Sequence, residues 1–382
     1  MRARKILYIS GTRADYGLMR EALFAIQKHP RLNLEIAVTG MHLMPEFGRT
    51  INEIKKDKFK IHRIEAIYRK DTKESMTNFI GECTLKLTKT IKRIRPDIIL
   101  LLGDRAEMLV GAIVGVYLTI PVAHIHGGEV TSTVDELARQ AITKLSHVHF
   151  PATKKSAQRI IKIGEDAWRV HVVGAPGLDS ILRKKPISLK EIAKKYKLGL
   201  SKPILLVLQH PVTAEVENAS WQIKETMEAV RESGYQAIVA YPNADPGGRE
   251  IIKVIEKYRK YPFIKIYKNI PREDYLGLMK VVKVIMGNSS GGIIESPSFH
   301  LPTINIGKRQ KRRERATNVI NVDYKKEEIK KAIQKAIYDK RFREKVKKCK
   351  NPYGDGKTGV RIANILSRIK INQKLLEKQI TY

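Results

Sequence analysis

Cysteine is scarce in this sequence and long apolar runs are absent, and both facts narrow its class. Only two of the 382 residues are cysteine, Cys83 and Cys349, and neither stands in a CxxC or Cys/His pattern. This spacing argues against a disulfide framework and a zinc site, and we expect no metal or other cofactor. No run of about eighteen apolar residues occurs, and residues 1–5 lead straight into a strand-like segment. We therefore expect a cytoplasmic protein with no membrane partner.

Acidic residues are scarce relative to basic ones. The chain has 73 Lys and Arg against 39 Asp and Glu, a formal net charge of +34 at pH 7. Clustered basic residues would suit the phosphate backbone of a nucleic acid. Here the lysines are spread over predicted helix faces (51–60, 184–197 and 325–348), with no recognition motif and no basic stripe interleaved with aromatics. We assign the excess charge to a solvated surface and expect no specific nucleic-acid partner.

Apolar residues, in contrast, are plentiful and regularly spaced. They make up 42% of the chain, enough for two cores, and the length exceeds what one core usually organises. Apolar runs that end in Gly-rich or polar loops alternate with amphipathic stretches, a pattern typical of βα units around a parallel sheet. The predicted strands are 6–10, 35–38, 98–102, 121–125, 147–150 and 170–173, and then 204–209, 237–241, 263–267, 284–286 and 303–306.

This alternation predicts an α/β protein with two Rossmann-like, doubly wound domains that face a central cleft, a GT-B-like arrangement. We place the N-terminal domain at 1–178, a connection at 179–202 and a C-terminal nucleotide-binding domain at 203–358. A final helical stretch, 359–379, is expected to pack back on the first domain. Ligands of such sheets bind beyond the carboxyl ends of the strands, so the loops after the strands form the candidate site.

The first of these loops, GTRADYG at 11–17, has the composition of an anion site. Its glycines permit a tight turn, the helix that follows offers its amino end, and Arg13 adds a planar donor group suited to phosphate. A Gly-flanked turn between a strand and a helix is also a common structural connection. Arg13 is therefore a candidate phosphate ligand that needs support from elsewhere in the chain.

The loop at 287–297, GNSSGGIIESP, carries the strongest phosphate signal. Its run of small residues exposes successive backbone N–H groups that suit a diphosphate, with the hydroxyls of Ser289 and Ser290 as further donors. Gly291 lets a ligand approach the backbone closely. Glu295, about one helical turn further on, is placed to reach a ribose diol.

Three other loops carry acidic and imidazole groups. Asp104 follows the strand 98–102 and either caps the next helix or enters the cleft. His124 and His126 lie two positions apart on a strand end and share a face, and Gly127 and Gly128 would let the backbone approach a ligand. We expect a hydrogen-bonded core role for His124 and a cleft position for His126. With Glu129, Asp135, Glu136 and Arg139, these residues fit a divalent-metal site or an acid/base set.

The second half adds its own candidates after two consecutive strands. His210 follows the strand 204–209 in a Gln-His-Pro sequence and is expected to enter the cleft. The loop 241–248 occupies the equivalent place one strand later. We expect its Asn243 to line the nucleotide pocket.

Together these segments resemble one family. In order and spacing over about residues 5–325, the chain is similar to the hydrolysing UDP-N-acetylglucosamine 2-epimerases. The related non-hydrolysing enzymes carry a GTRPE-like first loop and an HVEAGLR-like third motif, where this sequence has Arg-Ala-Asp-Tyr at 13–16 and His-Gly-Gly-Glu at 126–129, which favours the hydrolysing branch. The motifs that carry the resemblance are GTRADYG, GDRAEM, HIHGGEVT, DELARQAITKLSH, QHPVT, YPNADPGG and GNSSGGIIESPSFHLPTINIG.

The resemblance implies release of UDP and N-acetylmannosamine from UDP-N-acetylglucosamine by a homodimer or homotetramer, with the nucleotide between two Rossmann-like domains. Residues implied to bind UDP are Arg13, Arg105, Asn243, Ser289, Ser290, Gly291 and Glu295. Residues implied to surround the sugar are Asp104, His126, Glu129, Glu136 and His210. The base is left open, and Asp135 is an alternative to Glu136.

Four alternatives stay open. The nearest is the same chemistry on UDP-2,4-diacetamido-2,4,6-trideoxyglucose, followed by a non-hydrolysing epimerase. A retaining glycosyltransferase of the same architecture is less favoured, because no acceptor-binding region is identifiable. A nucleic-acid-binding protein on this scaffold would use the basic run 308–315, which otherwise borders the nucleotide cleft or forms a mobile loop.

Overall fold

Two parallel sheets of six strands, each with helices packed against it, build the chain. The computed structural model describes residues 2–70, 72–130, 134–183, 188–243 and 245–381. Residues 184–187 of the predicted lysine-rich connection, residue 131 at the end of the HIHGGEVT motif and residue 244 of the loop 241–248 lie outside the described residues.

The first sheet has the strand order β3-β2-β1-β4-β5-β6 once its strands are numbered along the chain. These strands are β1 (Arg4–Ser10), β2 (Leu32–Val38), β3 (Lys60–Arg63), β4 (Ile98–Leu102), β5 (Val122–Ile125) and β6 (Val148–Phe150). The accompanying helices are α1 (Arg13–Gln27), α2 (Ile51–Lys56), α3 (Lys73–Ile94), α4 (Ala106–Tyr117), α5 (Val134–Leu145), α6 (Lys154–Lys162) and α7 (Gly177–Arg183).

The second sheet repeats this topology in the order β12-β11-β10-β7-β8-β9. Its strands are β7 (Ile204–Leu208), β8 (Gln236–Ala240), β9 (Ile264–Tyr267), β10 (Val284–Gly287), β11 (Thr303–Ile306) and β12 (Val319–Val322). The remaining helices are α8 (Leu189–Lys195), α9 (Ala219–Ser233), α10 (Gly248–Glu256), α11 (Arg272–Val281), α12 (Gly291–Ile294), α13 (Lys326–Tyr338), α14 (Lys340–Lys347), α15 (Thr358–Arg368) and α16 (Gln373–Leu376). In each sheet the strand order reverses once, between β1 and β4 and between β7 and β10, and ligands of doubly wound sheets bind at such points.

The central strands follow from their composition. All five residues of β4 are apolar and buried, as expected for a parallel sheet covered on both faces. The edge strands β3 and β12 were not predicted, because they are partly exposed and their sequences, KIHR and VINV, contain no long apolar run. The predicted helix at 51–60 in fact ends at Lys56, and the predicted strand at 170–173 forms only a single bridge, between His149 and Val170.

The chain crosses between the two halves twice. Helix α8, which falls within the predicted connection, packs on the second half, where a Cβ added at Gly277 would lie 2.6 Å from Ile192 Cγ1. Helix α15 returns to the first half, where a Cβ added at Gly359 would lie 2.5 Å from Ala22 Cα on α1. The segment after α15 is held by the buried Arg169, which donates 2.8 Å hydrogen bonds to the carbonyls of residues 374 and 375. None of the described helices combines the length and apolar character needed to cross a bilayer.

Candidate active site between the two sheets

The loops that follow β1, β4 and β5 line one cleft together with the loops that follow β7, β8 and β10. Two compartments make up this cleft. The Arg13 compartment encloses about 770 Å³ of open space and the Asp104 compartment about 700 Å³. Residues Ala14, Leu18, Asn243 and Ser290 line both, so a single extended ligand has room to occupy the two together.

The loop before α1 is shaped by a buried carboxylate. Asp15 accepts hydrogen bonds from the backbone N–H groups of Gly11 at 3.0 Å and Thr12 at 2.6 Å, and it closes a capping box with Thr12. Burial raises the pKa of Asp15, while these hydrogen bonds oppose the rise. The N–H groups of Arg13 and Ala14 donate to no acceptor among the described residues. The amino end of α1 is therefore open toward the cleft.

The side chain of Arg13 spans the cleft. Its guanidinium donates to Asn269 Oδ1 in the second half, and Asn269 Nδ2 donates to Glu53 Oε1 over 2.8 Å. Burial lowers the pKa of Arg13 to about 10, and Glu53 opposes the shift. Arg13 is thus charged at neutral pH in the compartment that it lines.

The Ser-Gly loop after β10 forms the opposite wall of the Arg13 compartment. The N–H groups of Ser289, Ser290 and Gly291 donate to no acceptor among the described residues. At Gly291 an added Cβ would lie 2.6 Å from the Tyr275 hydroxyl and 2.9 Å from Glu295 Oε2. Any larger residue here would displace Tyr275 or Glu295, and the backbone donors beside Gly291 face no acceptor among the described residues.

Glu295 is buried beside this loop and is already paired. One oxygen accepts from Arg272 Nη2, which also donates to the carbonyl of Gly177 at 2.9 Å and to Ser180 Oγ at 3.2 Å. Burial raises the pKa of the Tyr275 hydroxyl, and Glu295 adds to the rise. Arg272 therefore fixes the Glu295 carboxylate in the wall of the Arg13 compartment and ties α11 to α7.

Asp104 belongs to the cleft and does not cap the helix that follows it. The N-cap of α4 is Arg105, which makes no side-chain capping bond. Asp104 instead accepts from Arg139 Nη2, and Arg139 Nη1 donates to the carbonyl of His126 over 2.7 Å. Arg139 on α5 thus joins the loop after β4 to the loop after β5.

His126 and Glu129 form a buried pair in the Asp104 compartment. His126 Nδ1 bonds to Glu129 Oε1, and Glu129 Oε2 lies 3.0 Å from Arg313 Nη2 in the second half. Burial alone would raise the pKa of Glu129, but Arg313 and His126 outweigh it and hold the pKa well below its ordinary value. Glu129 is therefore ionised at neutral pH.

The neighbouring His124 has the core role expected of it. Its Nε2 bonds to the carbonyl of Gly103 at 2.7 Å, its Nδ1 to Thr143 Oγ1 at 3.2 Å, and burial lowers its pKa to about 3. The predicted role of Gly127 and Gly128 needs correction. A Cβ added at Gly128 would lie 2.2 Å from the carbonyl oxygen of Ser156, so this glycine allows packing on α6 and not the approach of a ligand.

Arg105 connects the two halves beside these groups. Its Nη1 donates to Asp245 Oδ1 at 2.9 Å, across the cleft, and its Nε donates to Glu107 Oε2 at 3.2 Å. Burial alone would lower the pKa of Arg105, but Asp245 and Glu107 outweigh it and raise the pKa. Arg105 is a permanent cation at the edge of the Asp104 compartment.

His210 reaches the cleft from the second half. Its backbone is held by Asn288 through hydrogen bonds of 2.7 and 2.8 Å, and its Nδ1 accepts from the backbone N–H of Asn243 at 3.1 Å. Burial, followed by Arg309 and Arg13, keeps the pKa of His210 well below its ordinary value. The ring is therefore neutral, with its proton on Nε2.

The structure brings eleven of the twelve predicted site residues into the cleft. The Arg13 compartment is lined by Arg13, His210, Asn243, Ser289, Ser290, Gly291 and Glu295, and the Asp104 compartment by Asp104, Arg105, His126 and Glu129, with Asn243 and Ser290 shared. Glu136 lines neither compartment, whereas its neighbour Asp135 lines the second and lies 3.6 Å from Arg309.

Sequence reasoning did not single out three arginines that organise the site, Arg272, Arg309 and Arg313, although it grouped Arg139 with the acidic and imidazole residues. The basic run 308–315 was the available signal for two of them. Arg309 and Arg313 line the Asp104 compartment, while Lys311 and Arg312 between them are exposed. The two inward arginines are thus unavailable to a nucleic-acid backbone. Among the described residues, no group of three or more His, Cys, Asp and Glu side chains is arranged to hold a metal ion.

Comparison with known proteins identifies the family of this chain. The family model described as UDP-N-acetylglucosamine 2-epimerase matches residues 24–367. The chain belongs to this family. The resemblance found in the motifs is thereby confirmed for the UDP-N-acetylglucosamine 2-epimerase family.

Relatives within the family differ in substrate. A UDP-N,N'-diacetylbacillosamine 2-epimerase (hydrolyzing) from Legionella pneumophila is 42% identical over 98% of both chains. A UDP-N-acetylglucosamine 2-epimerase from Neisseria meningitidis is 35% identical over 87% of both. The crystal structure of a UDP-GlcNAc 2-epimerase from Neisseria meningitidis bound to UDP-GlcNAc matches with a TM-score of 0.80 at 20% identity, over 95% of this chain and 99% of that one. The predicted two-domain, GT-B-like fold is confirmed.

Proposed function

We propose that this protein is a hydrolysing 2-epimerase that converts a UDP-linked 2-acetamido sugar and water into UDP and the free sugar inverted at C2. The observation that carries the proposal is the joining of two compartments in one cleft. One offers an arginine and backbone N–H groups that have no acceptor among the described residues, which suit a diphosphate, and the other offers carboxylates and the imidazole of His126. The Legionella relative, whose name includes the word hydrolyzing, supports the hydrolytic mode over the non-hydrolysing one.

The diphosphate is placed between the amino end of α1 and the loop 289–291. Both present backbone N–H groups without acceptors among the described residues, and Arg13 adds a full positive charge. Such fixed donors stabilise the charge that builds on a departing diphosphate. Glu295 faces the ribose, and Arg105 and Asn243 border the junction of the two compartments.

The sugar is placed in the Asp104 compartment. Asp104, His126 and Glu129 line it from the first half of the chain, and His210 lines the adjoining Arg13 compartment from the second. Asp135 takes the place first assigned to Glu136, because of the two only Asp135 lines the compartment.

The reaction has two stages. A base removes the proton on C2, the electron pair forms a C1–C2 double bond, and the bond from C1 to the UDP oxygen breaks, which leaves a 2-acetamidoglucal and UDP. Water then adds its hydroxyl to C1 while a proton returns to C2 from the opposite face. The product is the free sugar in the manno configuration, and each step uses general acid–base catalysis.

Two sugars are the candidates. UDP-N-acetylglucosamine is supported by the motifs and by the Neisseria relative. UDP-N,N'-diacetylbacillosamine, which is UDP-2,4-diacetamido-2,4,6-trideoxyglucose, is supported by the higher identity to the Legionella relative. The two differ only at C4 and C6 of the hexose. Side chains of the Asp104 compartment that contact those carbons decide between them.

The test is incubation with each sugar nucleotide in deuterated water, followed by ¹H and ³¹P NMR. We expect free UDP together with a manno-configured sugar that carries deuterium at C2, and the larger kcat/KM identifies the substrate. Arg13→Ala is expected to abolish most of this activity, while Arg31→Ala, on an exposed arginine outside the cleft, serves as the matched control. Interconversion of two intact UDP-sugars without free UDP would assign the non-hydrolysing reaction instead.

Two further parts of the proposal concern the whole protein. We propose that it is located in the cytoplasm and assembles as a homodimer or homotetramer. Cell fractionation tests the first, and size-exclusion chromatography with light scattering tests the second.

A further inference from the structure

One ion pair crosses the cleft beside the acid/base groups. Arg313 belongs to the loop between β11 and β12 in the second half, and its Nη2 lies 3.0 Å from Glu129 Oε2 in the first half. The two side chains are only 5% and 3% exposed. A buried pair of this kind costs desolvation energy, so it is weak evidence for stability on its own. Because Glu129 lines the Asp104 compartment, the position of the pair supports a role in the chemistry of the site instead.

Glu129 connects Arg313 to an imidazole. Its other oxygen, Oε1, bonds to Nδ1 of His126. Burial raises the pKa of Glu129, but Arg313 and His126 together bring it below its ordinary value, so the carboxylate is ionised. An ionised carboxylate accepts the Nδ1 proton and thereby leaves the lone pair of the imidazole on Nε2. No described residue bonds to His126 Nε2, and His126 lines the Asp104 compartment.

The other candidate bases lie beside arginines. Asp104 accepts from Arg139 through one oxygen, and Glu129 bonds to His126 through Oε1 while its Oε2 lies 3.0 Å from Arg313 Nη2. His210 presents a proton on Nε2, because its Nδ1 accepts from a backbone N–H. His126 Nε2, in contrast, is a neutral proton acceptor in the compartment, with no arginine of the described residues bonded to it.

We propose, on the basis of the function proposed above, that Arg313 is a positioning residue. By reaching across the cleft to Glu129 it orients His126, so that His126 Nε2 accepts the C2 proton of the sugar while the C1–O bond breaks and its electron pair leaves with UDP. The imidazolium that forms is neutralised by Glu129. Because Arg313 and His126 belong to different halves, the base is assembled only while the cleft is closed.

A simple latch between the halves is the rival explanation, and the chain offers a matched control for it. Arg249 Nη2 lies 2.5 Å from Glu46 Oε1, which is also an ion pair across the cleft. Neither residue lines the two compartments. If cross-cleft pairs act only by holding the halves together, loss of Arg249 and loss of Arg313 have the same effect.

The test compares Arg313→Met with Arg249→Met in the full chain, by steady-state release of UDP and by calorimetric titration with UDP. For Arg313→Met we expect a fall in kcat of about 100-fold, the lower end of what general-base catalysis contributes, with UDP affinity within about 3-fold of wild type. Arg249→Met is expected to keep the wild-type kcat. Arg313→Lys, which retains a cation, recovers part of the loss.

The pH profile separates positioning from structure. The groups that face the His126–Glu129 pair are Asp104, His124, Asp135, Arg139, Arg313 and Tyr353. With Arg313→Met we expect the acidic limb of kcat/KM to move to higher pH, because a positive charge beside the pair is lost.

Three results overturn the proposal while the proposed function stands. They are equal losses in Arg313→Met and Arg249→Met, a loss of UDP affinity in Arg313→Met with unchanged kcat, and full activity of His126→Gln. If circular dichroism shows that Arg313→Met is unfolded, Arg313→Lys decides. A lowered kcat with a shifted pH profile then supports the proposal, and wild-type kinetics contradict it. Failure of the wild-type protein to release UDP from either sugar nucleotide contradicts the proposed function itself.

Discussion

The backbone N–H of Asn243 donates a hydrogen bond to Nδ1 of His210 over 3.1 Å. A backbone N–H can only donate, so Nδ1 carries no proton and the neutral ring is protonated on Nε2. Burial, Arg309 and Arg13 hold the pKa of His210 well below its ordinary value and keep the ring neutral. His210 therefore presents a hydrogen-bond donor to the cleft and not a proton acceptor, which suits the oxygen of a departing diphosphate.

We predict that His210 keeps the neutral, Nε2-protonated form at pH values well below the usual range of histidine titration, because burial, Arg309 and Arg13 lower its pKa. Long-range ¹⁵N–¹H NMR of the histidine-labelled protein checks this prediction. His210→Ala is expected to lower kcat by about 10²- to 10³-fold, as for the loss of one preorganised donor. His210→Gln, whose amide can donate, is expected to recover part of the loss. An imidazolium signal for His210 at neutral pH would contradict both the tautomer and the role.

The second prediction concerns the close packing at Gly291. A methyl group there would lie 2.6 Å from the Tyr275 hydroxyl and 2.9 Å from Glu295 Oε2. In Gly291→Ala either the loop or the buried side chains of Tyr275 and Glu295 must shift, which disturbs the donors placed on the diphosphate or the carboxylate placed on the ribose. We expect UDP affinity to fall by roughly tenfold or more, since the loss of one or two good hydrogen bonds to a charged group has this size. Titration calorimetry with UDP measures the change.

Gly81 provides the control for this substitution. It lies on the exposed face of α3, and an added Cβ meets nothing within 4 Å. Gly81→Ala is expected to leave UDP affinity unchanged and to stabilise the helix by about 0.5 to 1 kcal/mol. Equal UDP affinity in the two variants would show that the loop 289–291 does not hold the nucleotide.

How much of the fold was predictable depended on burial. Strands such as β4 consist of five buried apolar residues and were found with their full bounds. The edge strands β3 and β12 were missed because one sheet neighbour and solvent surround them, so their sequences carry mixed polarity. The termination of α2 at Lys56 is likewise invisible in a lysine-rich stretch whose composition suits a helix throughout.

The sequence predicted which residues line the cleft, but not which of their side chains form ion pairs and hydrogen bonds with one another. Parallel strands bring the loops at their carboxyl ends together, so Arg13, Asp104, His210 and Ser290 were expected in one cleft. Which groups pair depends on how the two halves meet. The contact of Arg313 with Glu129 has no local sequence signal, and the choice between a cap and an ion pair for Asp104 required the position of α5.

The third prediction concerns Arg105, whose removal would leave the buried carboxylate of Glu107 without a cation. Glu107 has no exposed surface and is held by Arg105 Nε at 3.2 Å and by the Tyr68 hydroxyl at 2.7 Å. Arg105→Met leaves this carboxylate without its cation. We expect the free energy of unfolding to fall by about 3 to 5 kcal/mol, the usual range for breaking a buried ion pair from one side. Urea unfolding followed by circular dichroism measures it.

Asp245→Asn is the matched control for this experiment. Asp245 is the other partner of Arg105, on the far side of the cleft, and its side chain is 13% exposed. This substitution leaves the pair of Arg105 and Glu107 intact, so its cost is expected to stay near 1 kcal/mol, as for one hydrogen bond. If Asp245→Asn destabilises as much as Arg105→Met, the cross-cleft contact and not the burial of Glu107 dominates.

The last prediction is a fall in stability on mild acidification, caused by buried histidines whose pKa values are lowered. Burial also lowers the pKa of His149 and His210, which add to the effect of the three considered next. Burial lowers the pKa of His42 and His124 to about 3 and that of His147 to about 4. In the unfolded chain each returns to about 6.5, so below that pH the unfolded state binds more protons than the native state, and stability falls as the pH falls. The loss is on the order of 1 kcal/mol per histidine for each pH unit below 6.5.

The pH range in which histidine protonation lowers stability is separate from the range in which carboxylate protonation does so. The pKa of Glu165 is lowered to about 2, since His149 and two lysines outweigh its burial, and its contribution is lost only as the pH falls below about 4.5. A decline in the free energy of unfolding between about pH 6.5 and pH 5 therefore belongs to the histidines. Urea unfolding at several pH values measures the slope. A flat profile in this range would contradict the prediction. It would mean that the buried imidazoles take up protons in the folded protein and are charged there.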